Sequence, residues 1–230
     1  MPAALESLGA FLAEQGFSTE LILVDDHSDP ATMAVIDAFR RSSPCVAVLR
    51  NDENRGKGFS VSRGMLHARG RLRVFTDADM AYPPAEIGKL LAELARGADV
   101  AIACRVLPES RYIMSPSFFS YLYTRHVMSR IFNGVVRRSL LPGILDTQAG
   151  LKAFTARAAE MIFPRVTIAG FGFDVEALYI ARLHDLRVHQ TAVTFRYDDE
   201  PSTVSFIRDV ARMIGDLGRI AWNGRGGRYG

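Results

Sequence analysis

The chain has few of the features that mark secreted, membrane-spanning or nucleic-acid-binding proteins. It has two cysteines in 230 residues, Cys45 and Cys104. Both lie in apolar runs, so we expect reduced core residues rather than a disulfide or a metal site. The net charge of +3 is too small to argue for nucleic-acid binding. No signal-peptide pattern occurs, and no apolar run reaches the roughly 20 residues of a transmembrane helix, so we expect a cytoplasmic protein.

Internal repeats, low-complexity tracts and clear linkers are also absent. The contents of 48% apolar and 23% charged residues are ordinary for a globular domain with a substantial core. We therefore expect a single domain over residues 1–222. The last residues, 223–230, are rich in glycine and arginine and are expected to form a flexible tail.

Strand-like apolar runs alternate with helical patterns along the chain. The runs near Glu20–Val24, Cys45–Leu49, Leu72–Phe75 and Asp99–Ala103 predict strands, and helices of about a dozen residues are predicted between them. Further along, the pattern predicts a helix near Phe173–His184, a strand over Val188–Tyr197 and an amphipathic helix over Thr203–Trp222. Such alternation is typical of an α/β fold with a largely parallel sheet.

The most informative segment is the apolar run Leu72–Phe75, which is followed by Asp77 and Asp79. A strand that ends at Asp-x-Asp places two carboxylates at the carboxyl edge of a sheet, where α/β proteins bind ligands. Both can converge on one Mg²⁺ or Mn²⁺ ion, which completes its shell with water and substrate phosphate. We therefore expect a metal site that binds a nucleotide diphosphate. The alternative is a pair of loop aspartates that cap the next helix.

Other polar residues are expected at the same edge of the sheet. Asp25 and Asp26 end the first predicted strand, where they could accept hydrogen bonds from a ribose or a base, or cap the following turn. The loop Asn54–Gly58 supplies flexible backbone and the cation of Lys57, a combination suited to phosphate. Arg105 directly follows the fourth predicted strand and is either a site residue or a plain surface residue.

Five blocks occur in an order that resembles one known family. They are Asp25-Asp26 with Ser28, Asn54–Gly58, Thr76–Met80 with Pro83-Pro84, Asp146–Phe154, and Gly172–Glu176. Together they resemble the family 2 glycosyltransferases of GT-A fold, and within them the polyprenyl- and dolichyl-phosphate sugar synthases. The segment Ser202–Ile220 is similar to the end of dolichyl-phosphate glucosyltransferases more than to that of the mannosyl enzymes.

The resemblance implies both a fold and a reaction. The fold would be GT-A (Rossmann-like), a mostly parallel sheet flanked by helices. The reaction would be metal-dependent, inverting transfer of a hexose from a nucleotide-diphosphate sugar to a polyprenyl or dolichyl phosphate. UDP-glucose is the favoured donor and GDP-mannose the alternative. Asp77 and Asp79 would hold Mg²⁺ or Mn²⁺ on the donor diphosphate, offsetting charge on the leaving group.

The resemblance also assigns residues to the two substrates. The residues implied for the donor are Asp25, Asp26, Gly56, Lys57 and Ala78. Arg105 matches an arginine that faces the acceptor phosphate, and Arg196 is a second candidate for that role. Because a phosphate monoester is already ionised near neutral pH, this chemistry needs cations that hold two anionic reactants together more than it needs a general base.

The chain departs from the family at its first strand. Family members begin with a strand reading like Val-Val-Ile-Pro-Ala-Tyr-Asn-Glu, whereas residues Pro2–Leu8 resemble the helix that follows it. We therefore expect a domain truncated at its N-terminus relative to the family, in which the strand near Glu20 has one exposed edge. Ala81 stands where many members have glutamine, so a bound metal would need water or another ligand there.

An arginine-studded apolar segment, Ser117–Arg138, is a candidate membrane contact. Because the implied acceptor is a lipid, we expect this segment to lie at the membrane interface, with its arginines toward lipid phosphates. The protein would then be peripheral on the cytoplasmic face of a membrane. The alternative is that the aromatic and aliphatic side chains belong to an ordinary core.

Two other functions stay open at this point. One is a non-catalytic or impaired homologue that binds a sugar nucleotide or a partner without turnover, which the missing first strand favours. The other is a phosphatase of the haloacid dehalogenase type, which also uses Asp-x-Asp after a strand. That motif needs threonine or valine where Ala81 stands, and its later lysine and acidic blocks are not evident.

Overall fold

The computed structural model describes residues 2–43, 46–114, 132–197 and 206–230. Cys45 and residues 117–131 of the predicted membrane segment lie outside the described residues. Cys104 is buried and has a free thiol, as predicted. No helix in the described part of the chain is long and apolar enough to cross a membrane.

Helices and strands alternate in the first half of the chain, as the sequence predicts. The helices are α1 (Pro2–Ala13), α2 (Pro30–Ser42), α3 (Lys57–His67), α4 (Ala85–Ala95), α5 (132–139), α6 (Ala156–Ile162), α7 (Phe173–Leu183) and α8 (Phe206–Arg225). The strands are β1 (Leu21–Asp25), β2 (Val46–Arg50), β3 (Leu72–Thr76), β4 (Val100–Cys104), β5 (Arg111–Met114), β6 (Leu151–Thr155), β7 (Val188–Ala192) and β8 (Thr194–Tyr197).

The described strands form three sheets. Strands β1 and β2 pair in parallel, β5 and β8 pair in parallel, and a four-stranded sheet has the order β3-β6-β4-β7. Within that sheet β4 and β7 are parallel, whereas β6 runs antiparallel to both β3 and β4. Three of the five strand pairs are therefore parallel, and the predicted α/β fold with a mostly parallel arrangement is confirmed.

Strand β4 is at the centre of the core because every one of its residues is buried. Its side chains alternate between two apolar clusters: Val100 and Ile102 belong to one, and Ala101 and Ala103 to the other. A strand covered on both faces reads as a continuous apolar run, which is how it was recognisable in the sequence. The two clusters show that helices cover both faces of the four-stranded sheet.

Local sequence explains where the helices begin and which face is buried. Asp29 caps α2 by accepting hydrogen bonds from the N–H groups of Ala31 and Thr32, each at 2.9 Å, and Pro30 occupies the first helical position. In α4, Leu90 and Leu94 repeat at helical spacing and are buried. A fully buried leucine side chain contributes about 1.5–3 kcal/mol relative to an exposed one.

The second half of the chain departs from the prediction in two places. The predicted strand Val188–Tyr197 divides into β7 and β8, which join different sheets on either side of Val193. Strand β6 was not predicted, because its five residues lie within a motif block and give too short a pattern to assign.

In the described part of the predicted membrane segment, Phe132 and Val136 belong to the core.

Within the described residues, strand β1 pairs with one other strand, β2, along one of its edges. Its start is fixed in another way. The Glu20 carboxylate accepts hydrogen bonds from the N–H groups of Arg69 and Gly70, at 2.6 and 2.7 Å, just before β3. This contact ties the two-stranded sheet to the four-stranded one.

The prediction of a flexible tail from Asn223 is wrong for the residues that pack against the core. Helix α8 continues to Arg225, and Tyr229 is 1% exposed. The Tyr229 hydroxyl donates to the buried Glu176 carboxylate at 2.6 Å, and its carbonyl oxygen accepts from Arg165 Nε at 3.1 Å. Composition alone did not reveal these long-range contacts.

We predict that Tyr229→Phe lowers the free energy of unfolding by about 1–3 kcal/mol, because a buried carboxylate loses one of its donors. Urea denaturation followed by circular dichroism measures this loss. Tyr112→Phe is the matched control, since the Tyr112 hydroxyl donates to the Arg105 carbonyl at an exposed position. Equal losses of unfolding free energy in the two variants would contradict the conclusion that Tyr229 is packed into the core and stabilises it.

Candidate active site

The candidate site lies at one edge of the four-stranded sheet, where β3 and β4 end and β6 begins. Thr76 pairs with Leu151, so the loop before β6 lies beside the end of β3. The Asp77 N–H donates to the Gly150 carbonyl at 3.1 Å and continues this alignment by one residue. The antiparallel direction of β6 therefore brings the Asp146–Gly150 loop to the same edge as Asp77 and Arg105.

The Asp77 carboxylate forms an ion pair with Lys57. The ammonium nitrogen lies 2.8 Å from Oδ1 and 3.0 Å from Oδ2, so it faces both oxygens. Burial disfavours the charged lysine, but the negative charges of Asp77 and Asp174 outweigh it and raise the pKa of Lys57. The lysine therefore stays charged and provides a cation at the metal corner that the sequence predicts.

The loop that carries Lys57 is held by close backbone approaches that glycine allows. The Gly58 N–H donates to the Ala169 carbonyl at 2.6 Å. A Cβ on Gly58 would lie 2.3 Å from the Ile168 carbonyl oxygen, and Gly56 has a φ of +91°. On the other side of the ion pair, a Cβ on Gly150 would lie 2.0 Å from Oδ2 of Asp77. Glycine at these positions lets lysine and aspartate meet.

A second ion pair lies behind the first. The Lys152 ammonium donates to Asp174 Oδ1 at 2.5 Å and to the Ala149 carbonyl at 2.6 Å, and both side chains are buried. Burial lowers the pKa of Lys152 and raises that of Asp174, since each charged form is removed from water. Asp174 also lies in the first turn of α7, where the helix dipole favours negative charge.

The turn after Asp77 carries the second predicted metal ligand. Asp79 is exposed, as is Ala78, and Asp79 Oδ1 accepts from the Ala81 N–H at 3.0 Å. Met80 has a φ of +50°, the left-handed conformation that reverses the chain here. Asp79 thus has one carboxylate edge tied to the turn while its side chain remains open to solvent.

Arg105 is bound to Asp146 in a two-pronged ion pair. Its Nε donates to Oδ2 at 2.7 Å, its Nη2 donates to Oδ1 at 2.9 Å, and its backbone N–H also reaches Oδ2 at 3.0 Å. Burial would raise the pKa of Asp146, but the Arg105 charge and hydrogen bonds lower it overall. The guanidinium lies 5.6 Å from the centre of the Phe195 ring. These contacts fix the orientation of Arg105.

Asp25 and Asp26 end β1 as predicted, and they bind backbone and side-chain donors of the protein itself. Asp26 accepts from Asn51 Nδ2 at 2.7 Å and from the N–H groups of Arg55 and Gly56 at 2.8 Å each. Burial acts to raise the pKa of Asp26, but these hydrogen bonds outweigh it and lower the pKa overall. Asp25 is buried and accepts from the Ser28 N–H at 3.2 Å. Asp26 therefore shapes the loop that carries Lys57.

Arg196 is exposed, and its backbone links β8 to the Asp-x-Asp turn. Its N–H donates to the Ala81 carbonyl at 2.7 Å. The neighbouring Phe195 ring packs against the Tyr82 ring with centroids 5.1 Å apart. Strand β8 thus lies beside both Asp-x-Asp and Arg105.

The donor chemistry of this corner fits a divalent cation. Asp77 and Asp79 offer carboxylate oxygens, the ligands that Mg²⁺ and Mn²⁺ favour. Asp77 already binds one cation, the ammonium group of Lys57. Across the described residues, no group of three or more His, Cys, Asp or Glu side chains is placed to hold a metal. The remaining ligands would therefore have to come from substrate and water.

Four residues with clear roles in this arrangement were quoted in the sequence motifs without a role. They are Asp146, Gly150, Lys152 and Asp174. The sequence did show acidic and basic residues in two of the motif blocks, Asp146–Phe154 and Gly172–Glu176. A sequence does not show which of these charged residues form ion pairs. Lys152 and Asp174 lie 22 residues apart, and Asp146 lies 41 residues from its partner Arg105.

Comparison with solved structures identifies the fold. Glucosyl-3-phosphoglycerate synthase from Mycobacterium tuberculosis, crystallised with uridine diphosphate, matches with a TM-score of 0.67 and 18% identity over 95% of this chain and 76% of that chain. The same enzyme with Mn²⁺, UDP-glucose and phosphoglyceric acid gives a TM-score of 0.67 at 17% identity, covering 95% of this chain and 75% of that chain. The fold is that of the GT-A-like glycosyltransferases.

The sequence model of glycosyl transferase family 2 matches residues 2–162. The chain belongs to this family, which decides against the phosphatase alternative. It is 34% identical over 219 residues to a dolichyl-phosphate beta-glucosyltransferase of Drosophila melanogaster, covering 90% of this chain and 66% of the relative. It is 32% identical over 201 residues to the Homo sapiens protein of that name, covering 84% and 60%. The chain thus spans 66% and 60% of the length of these two relatives.

We predict that Asp146→Asn lowers the free energy of unfolding by about 3–5 kcal/mol, because it leaves the Arg105 charge without its counter-ion. Chemical denaturation measures this change. Asp37→Asn is the control, since Asp37 pairs with Arg50 at 2.5 Å on the surface and should cost about 1 kcal/mol or less. A loss at Asp146 no larger than at Asp37 would show that the buried pair does not organise the site.

Proposed function

We propose that this chain transfers a hexose from a nucleotide-diphosphate sugar, with UDP-glucose favoured, to the phosphate of a polyprenol or dolichol, with inversion at the sugar. Similarity to dolichyl-phosphate beta-glucosyltransferases supports the acceptor and the sugar. The observation that carries the proposal is the pair of cationic positions at one sheet edge: Lys57 with the Asp-x-Asp corner after β3, and Arg105 after β4.

The two positions have a spacing that suits two phosphorylated substrates. Strand β6 lies between β3 and β4, so the strand ends are about 10 Å apart, twice the spacing of neighbouring strands. A donor diphosphate at the first position and an acceptor phosphate at the second would leave room for one sugar ring between them. Binding both anions on a fixed scaffold supplies the proximity that the reaction needs.

On the donor side, Asp77 and Asp79 would hold Mg²⁺ or Mn²⁺. The ion would offset negative charge on the departing diphosphate. Lys57 would donate to a phosphate oxygen, and the Gly56 backbone, fixed by Asp26, would shape the loop around the nucleotide. Asp25, buried at the end of β1, and Ala78, exposed between the two aspartates, complete the proposed donor-binding residues.

On the acceptor side, Arg105 would bind the lipid phosphate. Asp146 accepts from Nε and Nη2, and the two N–H groups on Nη1 are not used by Asp146. Exposed Arg196 is the second proposed contact. Since the acceptor phosphate is already an anion, the residues here orient a nucleophile and do not need to remove a proton from it.

Helix α8 supports a membrane surface as partner. Its residues 212–225 expose Arg212, Arg219, Arg225 and Trp222, the last at 79%, whereas Asp216 is half-buried. An exposed tryptophan among arginines suits the boundary of an anionic bilayer, where the ring enters the interface and the cations meet lipid phosphates. We propose that this face holds the protein on the cytoplasmic surface of the membrane containing the acceptor.

Transfer activity is tested by incubating the protein with Mn²⁺, polyprenyl phosphate and labelled UDP-glucose or GDP-mannose in parallel. We expect label in the lipid extract from UDP-glucose, and a loss of at least about a hundredfold in Asp79→Asn, which removes a charged metal ligand. Asp185→Asn, an exposed aspartate beyond the far end of α7, should keep full activity. Donor binding without any labelled lipid would instead indicate a non-catalytic homologue.

Membrane binding is tested by sedimentation with phosphatidylcholine vesicles that do or do not contain phosphatidylserine. We expect binding to the anionic vesicles, reduced on the order of tenfold in Trp222→Ala because a large aromatic side chain no longer leaves water. Phe17→Ala removes an aromatic side chain that is 59% exposed outside α8 and should bind like the wild type. Unchanged binding of Trp222→Ala would reject α8 as the contact.

A further inference from the structure

We infer that Lys57 makes metal binding and nucleotide binding mutually dependent: its ammonium occupies the Asp77 carboxylate until a diphosphate draws it away. This inference rests on the proposed function, because it takes Asp77 as a metal ligand. It goes further in assigning Lys57 a role before any substrate is bound. The expected consequence is that the divalent ion binds weakly alone and tightly together with the nucleotide.

The geometry gives the competition a direct cause. Lys57 Nζ faces both Asp77 oxygens, at 2.8 and 3.0 Å. A divalent ion coordinated by the same oxygens would lie close to the ammonium, and two cations a few ångströms apart repel strongly in a partly buried site. The Lys57 side chain is 23% exposed, which limits screening by water.

The surroundings restrict how Lys57 can withdraw. Its backbone is fixed by the Gly58 hydrogen bond to Ala169. The ammonium of the buried Lys152–Asp174 pair is a second positive charge, and it repels that of Lys57. The Phe171 ring centre lies 5.9 Å from the ammonium and borders it on another side. A new anion in front of Asp77 is therefore the natural partner for a displaced Lys57.

A diphosphate supplies that anion. Its oxygens can accept hydrogen bonds from the Lys57 ammonium and coordinate the metal, so Asp77 becomes available as the lysine changes partner. Metal and nucleotide then each increase the affinity for the other by the same factor, as thermodynamic linkage requires. No covalent step is involved, and the effect is present without an acceptor lipid.

The test is a titration with Mn²⁺ monitored by electron paramagnetic resonance of the free ion, with and without UDP or GDP. In the wild type, we expect the nucleotide to increase Mn²⁺ affinity by about tenfold or more. In Lys57→Met, which keeps the length of the side chain and removes its charge, Mn²⁺ alone should bind about tenfold more tightly than to the wild type. Because the diphosphate also coordinates the metal directly, the nucleotide should still increase Mn²⁺ affinity in this variant, but by a clearly smaller factor than in the wild type. Lys57→Gln provides a second neutral variant.

Arg55→Met is the matched control. It removes an exposed cation from the same loop, and its guanidinium packs over the Phe59 ring rather than against Asp77. We expect Arg55→Met to bind Mn²⁺ alone as the wild type does. Weaker or equal Mn²⁺ binding in both Lys57 variants would overturn the inference.

Failure of the proposed function gives a different result. If the wild type binds no Mn²⁺ at this site even with nucleotide, the metal role of Asp77 falls and the inference falls with it. If the wild type binds both ligands but independently, only the inference is overturned. Thermal denaturation of each variant confirms that the comparison is made on folded protein.

Discussion

The Lys57–Asp77 ion pair is the interaction on which the candidate site depends, and close packing of backbone makes it possible. Lys57 comes from a loop at the start of α3 and Asp77 from the end of β3, twenty residues later. They meet because Gly58 approaches the Ile168 carbonyl and Gly150 lies against Asp77 itself. A side chain at either glycine would force the loop or the carboxylate to move. The charge arrangement is therefore a consequence of packing.

A second constraint is the antiparallel insertion of β6 between β3 and β4. It places the loop containing Asp146 at the edge where β3 and β4 end, and Asp146 then fixes Arg105 through both carboxylate oxygens. The same insertion separates the two cationic positions by the width of one strand. The reaction that we propose needs two anionic substrates held apart while a sugar passes between them, and this sheet order would provide a rigid spacing for it.

Sequence patterns predicted much of the secondary structure in the first half of the chain, because its strands are short apolar runs that end at charged residues. Asp77, Asp79 and Arg105 were found at strand ends by that logic, and family membership confirmed the resemblance carried by the motif blocks. The partner of Arg105 could not be predicted, since a buried carboxylate 41 residues away leaves no local signal. Composition also misassigned the C-terminus, where Tyr229 reaches Glu176 across 53 residues. Long-range polar contacts account for most of what the sequence did not reveal.

The proposed exchange of Lys57 for a metal ion at Asp77 is tested most directly by anomalous X-ray diffraction from crystals containing Mn²⁺ and UDP. We expect an anomalous peak within coordination distance of Asp77 and Asp79, with the Lys57 ammonium hydrogen-bonded to a phosphate oxygen. A manganese peak elsewhere, or a bound diphosphate with the Lys57–Asp77 pair intact and no metal beside it, would contradict the account.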